Sequence, residues 1–185
     1  MSGHSKWSQI KRQKGVTDAA KSRTFSRFAR LITIEAKKAN GNVSSPGLTS
    51  AIERAKAANM PKDNIERAIA KGNSKDASEL ENVAYEFYGP GGSAIIVAAL
   101  TDNKNRTTQE IKHLLTKNGY ELGTPGSALW AFTKTPDGHF TPNEPLMDVA
   151  GGDEEKLTQI LELLDEHEDV QEIITNARGY ESTEE

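Results

Sequence analysis

A chain of 185 residues with 35% hydrophobic and 27% charged side chains has room for one large or two small domains and is too apolar to be a disordered polyelectrolyte. It has no cysteine, which excludes disulfides and thiolate metal sites, and its longest apolar run, Ala94 to Leu100, is far too short to span a bilayer. The net charge of -4 hides a division: residues 1–76 carry 16 Lys/Arg and 6 Asp/Glu, whereas residues 77–185 carry 7 and 21. A polyphosphate partner would therefore be held by the first region, and an acidic second half would not track phosphates. The N-terminus has no apolar signal segment, so the cytosol is the expected compartment.

From Gly3 to Asn40 the chain holds Lys6, Lys11, Arg12, Lys14, Lys21, Arg23, Arg27, Arg30, Lys37 and Lys38 against Asp18 and Glu35 alone. Like charges at this density repel, and a polyanion lying against them would relieve that repulsion. Ser2 to Gly15 shows no sustained period. It reads as an extended basic arm that lies along phosphates, with Trp7 available to stack on a base. Asp18 to Asn40 reads as an amphipathic helix, with Phe25, Phe28, Ala29, Ile32 and Ala36 on one side and Arg23, Arg27, Arg30 and Lys37 opposite. Ile34 interrupts the basic side, and Lys21 falls on the apolar side near the helix start. The competing reading is a solvated helix face behind a loose terminus.

Gly41 is the expected left-handed cap of that helix, and Ser45 with Pro46 opens the next as N-cap and first turn. A third helix runs from Pro61 to about Lys71, with Gly72 as its stop. Three short helices of this kind bury one another as a small bundle, giving a basic helical domain over residues 1–76. After a polar linker the period changes to that of strands. Val83 to Tyr88 alternates, Gly89-Pro90-Gly91-Gly92 makes a turn, and Ser93 to Thr101 is a strand buried on both faces. Arg106 to Asn118 is a helix, Ala128 to Thr133 a strand, and Pro136 to Pro145 holds at most a short edge strand. Asp153 to His167 is a helix, Val170 to Thr175 a last strand, and residues 178–185 an acidic, frayed tail. The fold class is α+β: the three-helix domain is followed, over residues 77–177, by a ferredoxin-like antiparallel sheet with two helices on one face.

Chemistry for catalysis is not assembled. His4, His113, His139 and His167 lack metal-site spacing, and no GxSxG, Walker or Rossmann pattern occurs. Neither a cofactor nor a small-molecule substrate is expected, and the chain does not read as an enzyme. The Gly89–Gly92 turn joins two strands, and Pro90 removes a donor, so a phosphate cradle is the weaker reading there. Asp102 to Thr107 opens a helix at the end of the central strand. It reads either as a loop with an Asn105 N-cap or as a polar finger presenting Lys104 and Arg106 to an anion.

Four stretches then carry a resemblance: Gly3-His4-Ser5-Lys6-Trp7, the run Asn59 to Ile69 (NMPKDNIERAI), Tyr88-Gly89-Pro90-Gly91-Gly92, and Leu100 to Thr107 (LTDNKNRT). In this order they resemble the YebC family, which includes bacterial proteins and a mitochondrial translational activator of cytochrome oxidase. The resemblance implies a non-enzymatic regulator of gene expression. Members are described as DNA-binding transcriptional regulators, and also as ribosome-associated factors that help translation through proline-rich stretches. It also implies that the GHSKW arm, the basic first helix and the NKNRT loop, with Lys104 and Arg106, are contact surfaces. Typical members have a third domain inserted between the second and third strands of the α+β domain. Here that place holds only Thr135 to Pro142, so the chain reads as a short form. Three partners follow as alternatives: RNA on the ribosome, duplex DNA, or a basic protein docked on the acidic half.

Overall fold

The structure, a computed structural model, describes residues 6–15, 17–74, 79–136 and 138–182; the side chain of Lys14 is also outside the described set. The chain divides into two compact units, Thr17–Glu81 and a second formed by Met1–Val16 with Asn82–Glu185.

The first unit is three helices, α2 (Asp18–Ala39), α3 (Pro46–Ala57) and α4 (Lys62–Asn73). Helix α1 (Lys6–Lys14) belongs to the other unit. Thr17 caps α2 by accepting from the Ala20 N–H, and Asn40, at φ 48°, ends it in the left-handed region one residue ahead of Gly41. Ser45 caps α3 by accepting from Leu48 N–H, with Pro46 in the first turn, as the sequence predicts. Helices α3 and α4 both pack on α2, around Ile32, Ala36, Leu48, Ala55 and Ile65. Gly72 differs from expectation: it lies inside α4 and is buried. A Cβ there would sit 2.4 Å from the Thr33 carbonyl oxygen, so its role is close approach to α2 rather than termination.

The second unit orders as α1 (Lys6–Lys14), β1 (Glu81–Tyr88, which begins at the boundary of the two units), β2 (Ala94–Thr101), α5 (Lys104–Lys117), β3 (Phe132–Lys134), β4 (Phe140–Pro142), α6 (Gly152–Asp165) and β5 (Val170–Thr175). The α+β class and the two helices on one face are as expected. The four-stranded ferredoxin-like sheet is replaced by a three-stranded sheet ordered β1-β2-β5 and a separate β3-β4 hairpin. β2 and β5 run antiparallel, Ile95 opposite Thr175 and Val97 opposite Ile173. One face of β2, with Ile95, Val97 and Ala99, packs under α5 and α6 through Ile111, Leu115, Leu157 and Leu161. The other face, with Ala94 and Ile96, packs under the hairpin through Ala128, Phe132 and Phe140. The prolines and glycine between Pro136 and Pro145 keep β3 and β4 to three residues each, too short to extend the sheet. The connection between them is short, with Thr135 N–H donating to the His139 carbonyl at 2.8 Å.

Two expectations for the chain ends are corrected. The extended arm is, over its described part, helix α1, and it packs on the α+β unit rather than on the helical one. The tail is instead tied down over its described residues, 178–182: Tyr180 is buried in the same core beside Ala177, and the Gly179 carbonyl accepts from the Trp7 N–H. Apolar burial at Tyr180 and the anchoring of α1 explain each other, since each supplies a wall of the other's pocket.

Candidate nucleic-acid interface

The cations of the leading 40 residues separate between the two units. Lys6, Lys11 and Arg12, with the backbone of Lys14, ride on α1. Lys6 pairs with Glu154 and Lys11 with Asp165 at 3.0 Å, both on α6. The polyanion facing this end of the chain is thus, in part, the chain's own acidic helix. Trp7 is 2% exposed, in a cluster with Tyr85, Phe87 and Tyr180, so its ring faces are filled by protein and no base reaches them. Lys11 Nζ sits over the Trp7 ring, 5.4 Å from its centroid, a cation-π contact. Gly3, His4 and Ser5 of the GHSKW motif lie outside the described residues.

The hydrogen bond from Lys6 holds the Glu154 carboxyl below the ordinary carboxylate range, and the same bond lifts the Lys6 amine above its usual value. A lowered carboxylate pKa contributes stability above its unfolded value and loses it as pH falls through the folded one. The raised amine contributes below its unfolded value and loses it in alkali. The docking of α1 is therefore expected to loosen in acid, through a small effect because both groups are partly in water. Following the Trp7 indole resonance from pH 7 to pH 3 checks this, and Glu154→Gln should remove most of the acid dependence.

The remaining cations lie on α2. Lys21, Lys37 and Lys38 are exposed, while Arg23, Arg27 and Arg30 are half-buried rather than fully in water. Lys38 pairs with Glu35 at 2.7 Å. From Arg23 to Lys37 the row is about 21 Å long at the α-helical rise. Ile34, expected to break the row, is buried.

The Lys104 and Arg106 finger is resolved into two different residues. The N-cap is Asn103, not Asn105, accepting from the Arg106 N–H at 3.1 Å. Lys104 is exposed on the first turn. Arg106 instead reaches Asp169, 1% exposed, at 2.7 Å, with Asp102 at 3.2 Å and Glu110 at 3.8 Å. The hydrogen bond to Asp169 pushes the guanidinium further up. Thr107 donates to the same carboxylate oxygen at 2.6 Å. This cluster, buried at Asp169 and Thr107 and open at Arg106, ties the start of α5 to the loop before β5. Arg106 stays partly exposed but is already paired with three carboxylates, which an external anion would have to compete with. Glu110, His167 and Asp169 bring their ligand atoms within 4.8 Å of one another. His167 Nδ1 accepts from the Asp169 N–H, so Nε2 carries the proton and donates to Glu110 at 3.0 Å. With Arg106 already bridging both carboxylates, a metal ion would have to displace a guanidinium to enter.

Sequence reasoning missed the turn Leu129–Ala131, read as part of a strand. The buried Glu86 carboxylate accepts from the N–H groups of Gly126 and Ala128, both at 2.7 Å, and of Leu129 at 3.1 Å. These bonds curl the backbone and leave Trp130 in the open. A carboxylate in the middle of an apolar strand was the available signal.

Comparison with known proteins decides the family. A chain of Petrotoga mobilis, named a probable transcriptional regulatory protein, is 46% identical over 181 residues, covering 95% of this chain and 70% of its own length. The chain belongs to the TACO1/YebC family. The model of the TACO1/YebC N-terminal domain matches residues 5–75, and that of the TACO1/YebC second and third domain matches residues 80–137, stopping inside the β3-β4 turn. A similarly named relative from Borrelia garinii is 52% identical over 134 residues, 71% of this chain and 55% of its own. Among solved structures, a conserved hypothetical protein of Aquifex aeolicus superposes with a TM-score of 0.76 at 28% identity, covering 87% of this chain and 91% of its own. As a TACO1/YebC member, the protein is a regulator of YebC type by the names its relatives carry. Among its described residues no helix is long and apolar enough to cross a membrane.

Proposed function

We propose that the protein is a non-enzymatic, nucleic-acid-binding regulator of gene expression that grips structured RNA on the ribosome through the basic row of α2, and so eases translation through proline-rich stretches. The supporting observation is Arg23, Arg27, Arg30 and Lys37 in one row on the helix against which α3 and α4 both pack. A helix flanked in this way does not project as a reading head into a major groove. Its outer surface suits phosphates, whose contacts position a partner without reading sequence. Lys21, Lys38 and Lys104 add exposed cations. The second reading, duplex DNA binding as a transcriptional regulator, draws on the printed names of the relatives.

The test removes charge while keeping bulk, because the arginines are half-buried: Arg23→Gln, Arg30→Gln and Lys37→Gln together. Salt-sensitive co-sedimentation with ribosomes should be lost. The slope of log affinity against log salt should flatten by up to about 0.7 per lost contact on single strands and about 0.9 on duplex DNA. Wild-type protein that binds neither ribosomes, RNA nor duplex in dilute buffer ends the reading. Protection of a defined operator with weak RNA binding transfers it to DNA.

A further inference from the structure

Trp130 is 68% exposed and Tyr88 43%, on the sheet face opposite α5 and α6. Neither ring is loose. Trp130 Nε1–H donates to Tyr88 Oη at 2.6 Å, and Tyr88 Oη–H donates to the Ser127 carbonyl at 2.6 Å. Asn143 pins the backbone from the hairpin side, donating from its side chain to the Trp130 carbonyl and from its N–H to the Ala131 carbonyl. We propose that Trp130 and Tyr88 form a stacking platform for an unpaired nucleobase.

Three features favour a base over a protein. The relay uses the hydrogen-bonding atoms of both rings, which leaves π-faces as the chemistry on offer, and every base has a π-face to match. The rings are ordered before a ligand arrives, so little entropy is lost on binding. The patch is also small. Among the described residues of this unit, Tyr88, Leu129, Trp130 and Leu163 are the large apolar side chains in the open, and Leu163 is on α6 at the other face. A stable protein interface buries about 800 Å² on each partner, far beyond three side chains, whereas a planar ring is matched by them. Charge permits it: residues 123–143 contain Lys134 and a single carboxylate, Asp137, in contrast to α6, which opens with Asp153, Glu154 and Glu155. Glu86 below the platform is buried and engaged by three N–H groups.

The inference rests on the nucleic-acid reading above, and the experiment separates the two. Full-length protein is titrated with a single-stranded RNA carrying 5-bromouridine and with a base-paired duplex of the same sequence. Trp130→Ala should weaken single-strand binding by about 5-fold to 150-fold, the loss of one stacked base. Duplex affinity and the salt slope should not change, because no phosphate contact is lost. Trp130→Phe should retain most of the affinity, and irradiation should crosslink the RNA to Trp130. Wild-type binding to both nucleic acids that Trp130→Ala leaves untouched, or weakens equally for both, overturns the platform and leaves the α2 grip standing. No wild-type binding to either overturns both.

Discussion

Trp7→Ala is expected to destabilise the α+β unit by about 3–5 kcal/mol, the usual cost of truncating a fully buried aromatic. The urea midpoint of that unit should fall accordingly, with the three-helix unit's transition as internal control. Trp7 is 2% exposed and shares its cluster with residues from β1, α6 and the segment after β5. Among the described residues its buried indole N–H has no hydrogen-bond partner. Trp7→Phe, which removes that orphaned donor with part of the ring, should therefore cost clearly less than Trp7→Ala. A base-stacking Trp7 would give the reverse pattern: weakened RNA binding with unchanged stability. The two outcomes do not overlap, which makes this substitution the sharpest check on where the leading helix belongs.

Glu86→Ala should also be costly, by about 2–3 kcal/mol, because buried donors left without an acceptor lose their compensation for desolvation. Three backbone N–H groups lose their acceptor together. The structural consequence is local. The turn Leu129–Ala131 should relax and Trp130 should become mobile, visible as reduced fluorescence anisotropy from its indole while Trp7 stays buried. Glu86→Gln keeps one acceptor oxygen and should fall between the wild type and the alanine variant. An unchanged melting temperature for Glu86→Ala would show that water replaces the carboxylate at no cost.

The elements that the sequence made legible are those set by local rules. Ser45-Pro46 opens α3 because its side-chain acceptor and fixed φ act within one turn. β5 begins and ends at Val170 and Thr175 as expected, and the Ala94 to Leu100 run is buried at nearly every position as a central strand should be. What the sequence did not show was set by partners far along the chain. Ten cations in forty residues look like a phosphate-binding surface until Glu154 and Asp165 are found facing two of them. Arg106 looks like an anion ligand until Asp169, 63 positions away, is found beneath it. Gly72 reads as a stop signal because the sequence does not show the Thr33 carbonyl oxygen beside it. On the candidate interface, the row on α2 was legible from periodicity alone, whereas the exposure of Trp130 was not. It depends on a carboxylate two strands away curling what composition presents as a strand.

Because α1 is docked where the chain resumes at Asn82, the segment Thr17–Glu81 is spliced into its neighbour rather than strung in front of it. The two are joined by a pair of covalent crossings, so a single backbone cut at either crossing does not by itself release a fragment. Deleting the first sixteen residues would spare the helices that follow directly and wound the half of the molecule that begins sixty-five residues later.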